Sequence, residues 1–262
     1  MELVSIEAPR GRADAAGEAG EGSAAPGRAI LALAARAIRD FGLIAPGDRV
    51  AVGVSGGKDS LLLAVVLREL ARRGDLDFTF SLVHLDQHQP GFERARFDAA
   101  LARLGFGCEV VSRDTWSVVA SKLKPGQIPC ALCGRMRRGI LNQWCAENGF
   151  TRLALGHHLD DAVETFFLNL LYGRRLDPLK PATPSEREPV VTIRPLILVE
   201  ERRIRAWVAR HGIDAVPCPV CDTVPDSKRR DLKALVDGFR AMQPDVDASV
   251  REALYGIDGR SD

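Results

Sequence analysis

The 262-residue sequence holds no apolar run near the roughly 20 residues that span a bilayer. It also lacks the basic start and apolar core of a signal peptide. A membrane partner is therefore not expected, and a cytoplasmic location is the default. Net charge is nearly absent: 36 Lys and Arg stand against 35 Asp and Glu, leaving +1. A global basic field for nucleic acid is excluded, so any RNA surface must come from local clusters. No internal repeat is present. Hydrophobic residues at 46% and charged residues at 27% suit a soluble globular chain, and this length fits one large α/β domain with additions or two small domains.

Residues 1–27 are rich in Gly, Ala, Glu and Pro and nearly free of large apolar residues, which predicts a flexible leader. From Arg28 the pattern alternates. Helical spacing of Ile30, Leu31, Leu33, Ala34, Ile38 and Phe41 is followed by a strand over 49–54, a helix through Leu70 and a strand over 78–85. A helix over 93–104, a strand over 108–111, a helix over 133–148, a strand over 152–155 and a helix over 158–171 continue it. Such alternation predicts an α/β fold, a parallel sheet with helices on both faces. Residues 173–190 read as a surface loop, 191–196 as one last strand, and the remainder as helical, with an interruption at Pro217–Cys221 and a helix over 228–239. The expected organisation is a leader (1–27), an α/β domain (28–200) and a small helical C-terminal segment (201–262).

Val54-Ser55-Gly56-Gly57-Lys58-Asp59-Ser60 falls where a strand meets a helix. Backbone N–H groups and the helix dipole converge at such a junction, and glycines let an anion approach the backbone. Ser55 and Ser60 add hydroxyls and Lys58 adds charge. Two common phosphate motifs are missing. Val52 and Asp59 occupy positions where the kinase-type loop needs Gly and Ser or Thr, and Ser55 stands at the second Gly of the dinucleotide fingerprint. Gly156-His157-His158-Leu159-Asp160-Asp161 marks a second strand–helix junction. Carboxylates in a first helical turn can simply complement the dipole; beside a nucleotide they could hold Mg²⁺ or orient a reacting base. The two histidines fit hydrogen-bonded structural roles equally well.

Six cysteines include two CxxC pairs, Cys130/Cys133 and Cys218/Cys221, each preceded by proline. Two-residue spacing lets both sulfurs reach one metal. On geometry alone, four thiolates suit structural zinc as readily as an iron–sulfur cluster. Cys108 and Cys145, isolated among apolar neighbours, read as core residues.

Loop 54–60 resembles the PP-loop of the ATP pyrophosphatase superfamily, which binds ATP and cleaves between its α- and β-phosphates. Further stretches, Leu85 to Phe92, Cys130 to Leu141, Gly156 to Asp161, Asn169 to Gly173, Ile193 to Leu196 and Pro217 to Cys221, resemble the tRNA 2-thiocytidine synthetase family within it. The likeness runs from about residue 28 to 235. It implies an adenine nucleotide α-hydrolase-like sheet and an ATP-dependent tRNA sulfurtransferase acting on an anticodon-loop cytidine. It implies ATP held by Ser55, Gly56, Gly57, Lys58, Asp59, Ser60, Gly156 and His157, with Mg²⁺. Asp161, Asp59 and Cys221 become the catalytic candidates. A 4Fe–4S cluster would be held by Cys130, Cys133 and Cys221, with Cys218 not a ligand. Arg137, Arg138, Arg174 and Arg175 are the RNA-binding candidates. The partners implied are tRNA and a sulfur donor such as a cysteine desulfurase, and a homodimer is compatible. His88 stands where the family commonly carries Lys. Thiolation of another tRNA base, a zinc-stabilised PP-loop ligase transferring nitrogen, and a non-catalytic RNA-binding protein are the alternatives.

Overall fold

A computed structural model describes residues 24–123, 129–216 and 227–256. Helix α1 (Arg28–Asp40) buries Ile30, Leu31, Ala34, Ala37 and Ile38, one stripe of a 3.6-residue period. Strand β1 (Asp48–Gly53) leads into α2 (Lys58–Arg73), whose residues Leu61 to Leu67 are all buried. A helix apolar on every side must be enclosed, and α2 packs against the sheet beneath it and α1 and α7 around it. Strand β2 (Phe78–Asp86), α3 (Arg94–Arg103) and β3 (Glu109–Ser112) follow, then α4 (Trp116–Lys122) and α5 (Cys130–Glu147). Strand β4 (Arg152–Ala154) precedes α6 (Leu159–Leu171), β5 (Ala182–Pro184) and β6 (Val191–Ile193). Three helices close the described chain: α7 (Glu201–His211), α8 (Ser227–Met242) and α9 (Val246–Tyr255).

The six strands lie in the order β3-β2-β1-β4-β6-β5 and are parallel except for β5, which pairs antiparallel with β6. The mostly parallel sheet bears out the alternation read from the sequence. Its direction of growth reverses between β1 and β4, the point where such sheets open a crevice beyond the carboxyl ends of their strands. One core lies on the face covered by α1, α2, α3 and α7; a second lies on the opposite face, where Leu141 and Cys145 of α5 meet Ala51, Val83, Leu85 and Leu153. Helices α6, α8 and α9 share a third apolar contact through Leu159, Val163, Val236 and Val250.

Several local expectations need correction. Segment 173–190 is not all loop, because Ala182–Pro184 adds an edge strand in register with Val191–Ile193. The strand expected over 191–196 stops at Ile193, before Pro195. Helix α5 starts at Cys130, so the first cysteine pair lies inside the helix. Helix α4 was not expected, since it is only seven residues long, whereas α9 falls within the C-terminal segment expected to be helical. Leader residues up to 23 and the Pro217–Cys221 turn, with Cys218 and Cys221, lie outside the described residues. Among the described residues no helix is long and apolar enough to cross a membrane.

Candidate functional site

Loop 55–60 follows β1 at the crevice. Its floor is fixed by His84 of β2, whose Nδ1–H donates to the Val54 carbonyl at 2.9 Å. A carbonyl can only accept, so this bond sets the tautomer. The ring stacks on Phe92 and tilts against Phe97, with centroids 4.9 and 4.5 Å away, and burial holds its pKa below the ordinary value. Gly56 has φ +86°, and a Cβ there would lie 3.0 Å from Phe97 Cδ2. Its carbonyl accepts the Val216 N–H, so the chain leaving α7 braces the loop. Ser60 Oγ donates to the Gly57 carbonyl and accepts the Ser55 N–H at 3.1 Å. The first N–H groups of α2 have no intrahelical acceptors and aim into the crevice. A loop of this shape can cradle an anion.

Lys58 lies over that cradle between Asp59, at 2.9 Å, and Glu201 of α7, at 3.1 Å. Burial disfavours its charge, but the two carboxylates more than offset this and hold its pKa above the ordinary lysine value. Glu201 also pairs with Lys233 and Arg205. Burial raises the Glu201 pKa, and the Lys233 and Lys58 bonds outweigh it, leaving about 2.

The second junction abuts the first. A Cβ on Gly156 would sit 2.8 Å from the Asp59 carbonyl carbon and 2.9 Å from the Ser60 nitrogen, so glycine lets the two loops touch. Asp161 Oδ2 accepts the His158 N–H at 3.0 Å and caps α6. His158 Nε2 lies 3.7 Å from Asp59 Oδ1 and 3.6 Å from Asp161 Oδ2, placing one imidazole between carboxylates of both loops. The side chains of Asp59 and Asp161 are 29% and 31% exposed, open enough to meet a ligand, whereas Asp160 is 10% exposed. Asp160 accepts the Glu201 N–H at 2.6 Å and pairs with Arg240. That assigns Asp160 to holding α7 and α8 in place. Burial pushes the His157 pKa down to about 4; Asp161 opposes the shift, and Arg194, Arg137 and Arg138 add to it.

Cys130 and Cys133 occupy the first turn of α5, where the helix dipole favours thiolate. Cys133 Sγ accepts from Gln89 Nε2 at 3.2 Å and faces Gln87 Oε1 at 3.5 Å. Gln87 and Gln89 directly follow β2, so the sulfur lies at the same carboxyl edge as both loops. A pair of soft donors one helical turn apart, with an amide N–H on sulfur, fits an iron–sulfur cluster or zinc. Among the described residues no group of three or more metal-binding side chains gathers; the further candidate, Cys221, lies outside them. Cys145 is buried and Cys108 half-buried, and burial pushes both thiols up to about 12, which suits inert core groups.

The arginine candidates separate. Arg137 and Arg138 lie on α5, and their charges act on His157. Arg174 has φ +53° beyond α6, and Arg175 donates to Asn169 Oδ1 at 3.0 Å. Sequence reasoning assigned no role to Glu201, Gln87, Gln89 or Arg194. Arg194 sat in a segment already singled out, whereas nothing local marked Glu201 as a partner for Lys58, 143 positions earlier.

A family model described as the PP-loop domain matches residues 32–217. The tRNA-cytidine(32) 2-sulfurtransferase of Alkalilimnicola ehrlichii is 40% identical over 225 residues, covering 86% of this chain and 72% of the relative. The protein of the same name from Bdellovibrio bacteriovorus is 39% identical over 222 residues, covering 85% of each. Among solved structures, the U34-tRNA thiolase NcsA from Methanococcus maripaludis, with its 4Fe-4S cluster, matches with a TM-score of 0.66 and 23% identity. That match covers 87% of this chain and 80% of the thiolase, and it shows a shared fold. With the loop, the junction and the cysteine helix gathered at one sheet edge, this chain belongs to the PP-loop family and, within it, to the tRNA-cytidine(32) 2-sulfurtransferases.

Proposed function

We propose that this enzyme replaces the C2 oxygen of an anticodon-loop cytidine of tRNA with sulfur, the cytidine at position 32 for which its relatives are named. The observation that carries the reading is the convergence of loop 55–60, Asp161 and Cys133 on one carboxyl edge. ATP would lie on Ser55, Gly56, Gly57, Lys58, Asp59 and Ser60, with Gly156 and His157 closing the far side. The partly exposed carboxylates of Asp59 and Asp161 fit Mg²⁺, a hard cation that takes oxygen ligands.

The chemistry follows from what oxygen does as a leaving group. Sulfide attacking C2 directly would have to expel oxide, a poor leaving group. If the C2 oxygen first attacks the α-phosphate, pyrophosphate departs and the oxygen becomes part of a phosphate ester. Sulfur can then form its bond to C2 while AMP leaves with the oxygen. Asp161 would orient the base. His157, held neutral by burial, can donate or accept a hydrogen bond without adding charge. A 4Fe–4S cluster, such as the solved thiolase of the same fold carries, would be held by Cys130, Cys133 and Cys221 and would supply the sulfur. Arg137, Arg138, Arg174 and Arg175 would contact the tRNA backbone.

Anaerobically reconstituted enzyme, given ATP, sulfide and a tRNA transcript, tests the reading by mass spectrometry of nucleosides beside pyrophosphate release. The expected result is 2-thiocytidine with pyrophosphate formed in step. Thiouridine alone would assign another base, and no pyrophosphate would refute adenylation.

A further inference from the structure

The carboxyl edge also holds a cation without a matching anion. Arg194 leaves β6 directly after Ile193, which pairs with Ala154, so its backbone runs beside the strand that delivers Gly156 and His157. The residue is 6% exposed. Its Nη1 donates to the Lys180 carbonyl at 2.6 Å and to Thr183 Oγ1 at 3.1 Å, tying down the β5–β6 edge. Among the described residues its Nε is buried with no acceptor. Among the described residues Arg194 forms no ion pair. Burying a guanidinium is unfavourable unless its charge and donors are matched, and one structural bond pair leaves half of the planar fork unused.

The surroundings sharpen the mismatch. Burial and then the Arg138 charge lower the Arg194 pKa to about 10, against the opposing influence of Tyr255 and Asp161. The group therefore remains a cation at neutral pH, close enough to Arg138 and Asp161 to feel both. A group meant only to pin β5 to β6 could be neutral. A permanent charge beside a second arginine and the reacting junction calls for a negatively charged ligand.

We propose that Arg194 binds a phosphate oxyanion at the reacting centre, on the β6 side of the crevice and opposite loop 55–60. This rests on the reading of the protein as an ATP-dependent tRNA-modifying enzyme. Phosphate could come from the nucleotide, as its α-phosphate, or from the RNA, as a backbone phosphate beside the target base.

Binding without turnover separates the two. The reconstituted full-length enzyme is titrated with α,β-methylene-ATP in one arm and with tRNA across a salt series in the other. Wild type is compared with Arg194→Lys, Arg194→Met and Thr183→Val. The expected result is a loss of at least tenfold for Arg194→Met in the nucleotide arm, or a salt slope for tRNA lowered by about 1. The arm that moves names the source. Arg194→Lys should fall between wild type and Arg194→Met, because it keeps the charge but not the fork. Thr183→Val removes only a structural bond and should bind both ligands as wild type does. Should Arg194→Met fail to fold, Arg194→Lys decides by the same two readings. A folded Arg194 variant with both arms unchanged overturns the proposal, as does Thr183→Val reproducing its losses. If wild type bound neither ligand, the functional reading would fall with it; wild-type binding with unchanged Arg194 variants removes this inference alone.

Discussion

Loop 55–60 is fixed by backbone, by apolar neighbours and by the His84 and Ser60 side chains, whereas at the start of α5 the Cys133 sulfur meets two side-chain amides. Gly156 presses on the Asp59–Ser60 backbone, and Gly56 sits between Phe97 and Val216. Cys130 is exposed, and Cys133 is approached by Gln89 and Gln87. The loop end is thus shaped by its own packing. On the proposed reading the cysteine end would need a thiolate from a remote segment to complete a metal site, and metal binding there would then help to hold the chain together.

The strongest way to break this comparison is to remove function at the loop end. Ser55 makes only long side-chain bonds, 3.4 Å to both Ser60 Oγ and the Gly57 N–H, so Ser55→Ala should leave the fold intact. Ser55→Ala or Asp59→Ala should lower thiolation and pyrophosphate release by a factor on the order of 10² or more, as when one donor to a developing charge is lost. Circular dichroism and iron content should not change. Near-normal turnover in either variant would separate the loop from the chemistry.

At the other end the readout is metal. Cys130→Ala, Cys133→Ala and Cys221→Ala should lose most of their iron after anaerobic reconstitution, and Cys218→Ala should keep it. A closed zinc site would use all four thiolates. Equal loss in all four variants, or stoichiometric zinc without iron, would turn the reading towards the nitrogen-transferring ligase.

Two further tests probe how the ends are packed. Gly156→Ala forces a methyl against backbone that cannot swing aside, and overpacking of this kind costs about 1–3 kcal/mol. Its urea midpoint should drop and nucleotide affinity should fall with it; an unchanged midpoint would mean the two loops can part. The buried His157 gives a pH test. Folded protein resists protonating it until about pH 4, while the unfolded chain takes up that proton near pH 6.5. The contribution is complete above about pH 6.5 and is lost as pH falls towards 4, by roughly 1–2 kcal/mol at pH 5. His84, also lowered by burial, adds to the same slope. His157→Gln should flatten part of the decline, and an identical pH profile would place the ring in contact with water.

The contrast also explains what could be read from the chain alone. Loop 55–60 was legible as a motif because its signal is local: two glycines, two hydroxyls and a lysine lie within six consecutive residues at a strand–helix junction. The parallel sheet was legible because β1, α2 and β2 carry continuous apolar runs bounded by turn residues, the pattern of elements buried on both sides. Strand β5 was not, since three residues ending in Pro184 pair only through the register of β6. Asp160 and Asp161 are adjacent and chemically alike, and only the tertiary partners Glu201 and Arg240 reveal that the first is structural. Arg194 likewise depends on context: its segment stood out, but an unmatched buried charge can be recognised only once its neighbours are known.

The smallest effect distinguishes the four arginines offered to RNA. A side chain already bonded in the free protein must give up that bond to meet a phosphate, so its net contribution is reduced. Arg175 donates through Nε and Nη2 to Asn169 Oδ1, and Asn169 in turn donates to the Asp177 carbonyl at 2.6 Å. Arg137 and Arg138 stand together on α5, and the Arg138 charge reaches Arg194, a local positive field on a chain whose net charge is +1. Neutralising a true phosphate contact lowers the salt slope of tRNA binding by about 1. Arg137→Gln and Arg138→Gln should each do so, whereas Arg175→Gln should shift it by clearly less. A slope change at Arg175 equal to that at Arg137 would show that RNA displaces the Asn169 bond and that the region after α6 is a full part of the RNA surface. An unchanged slope in Arg137→Gln and Arg138→Gln would move that surface away from the cysteine helix altogether.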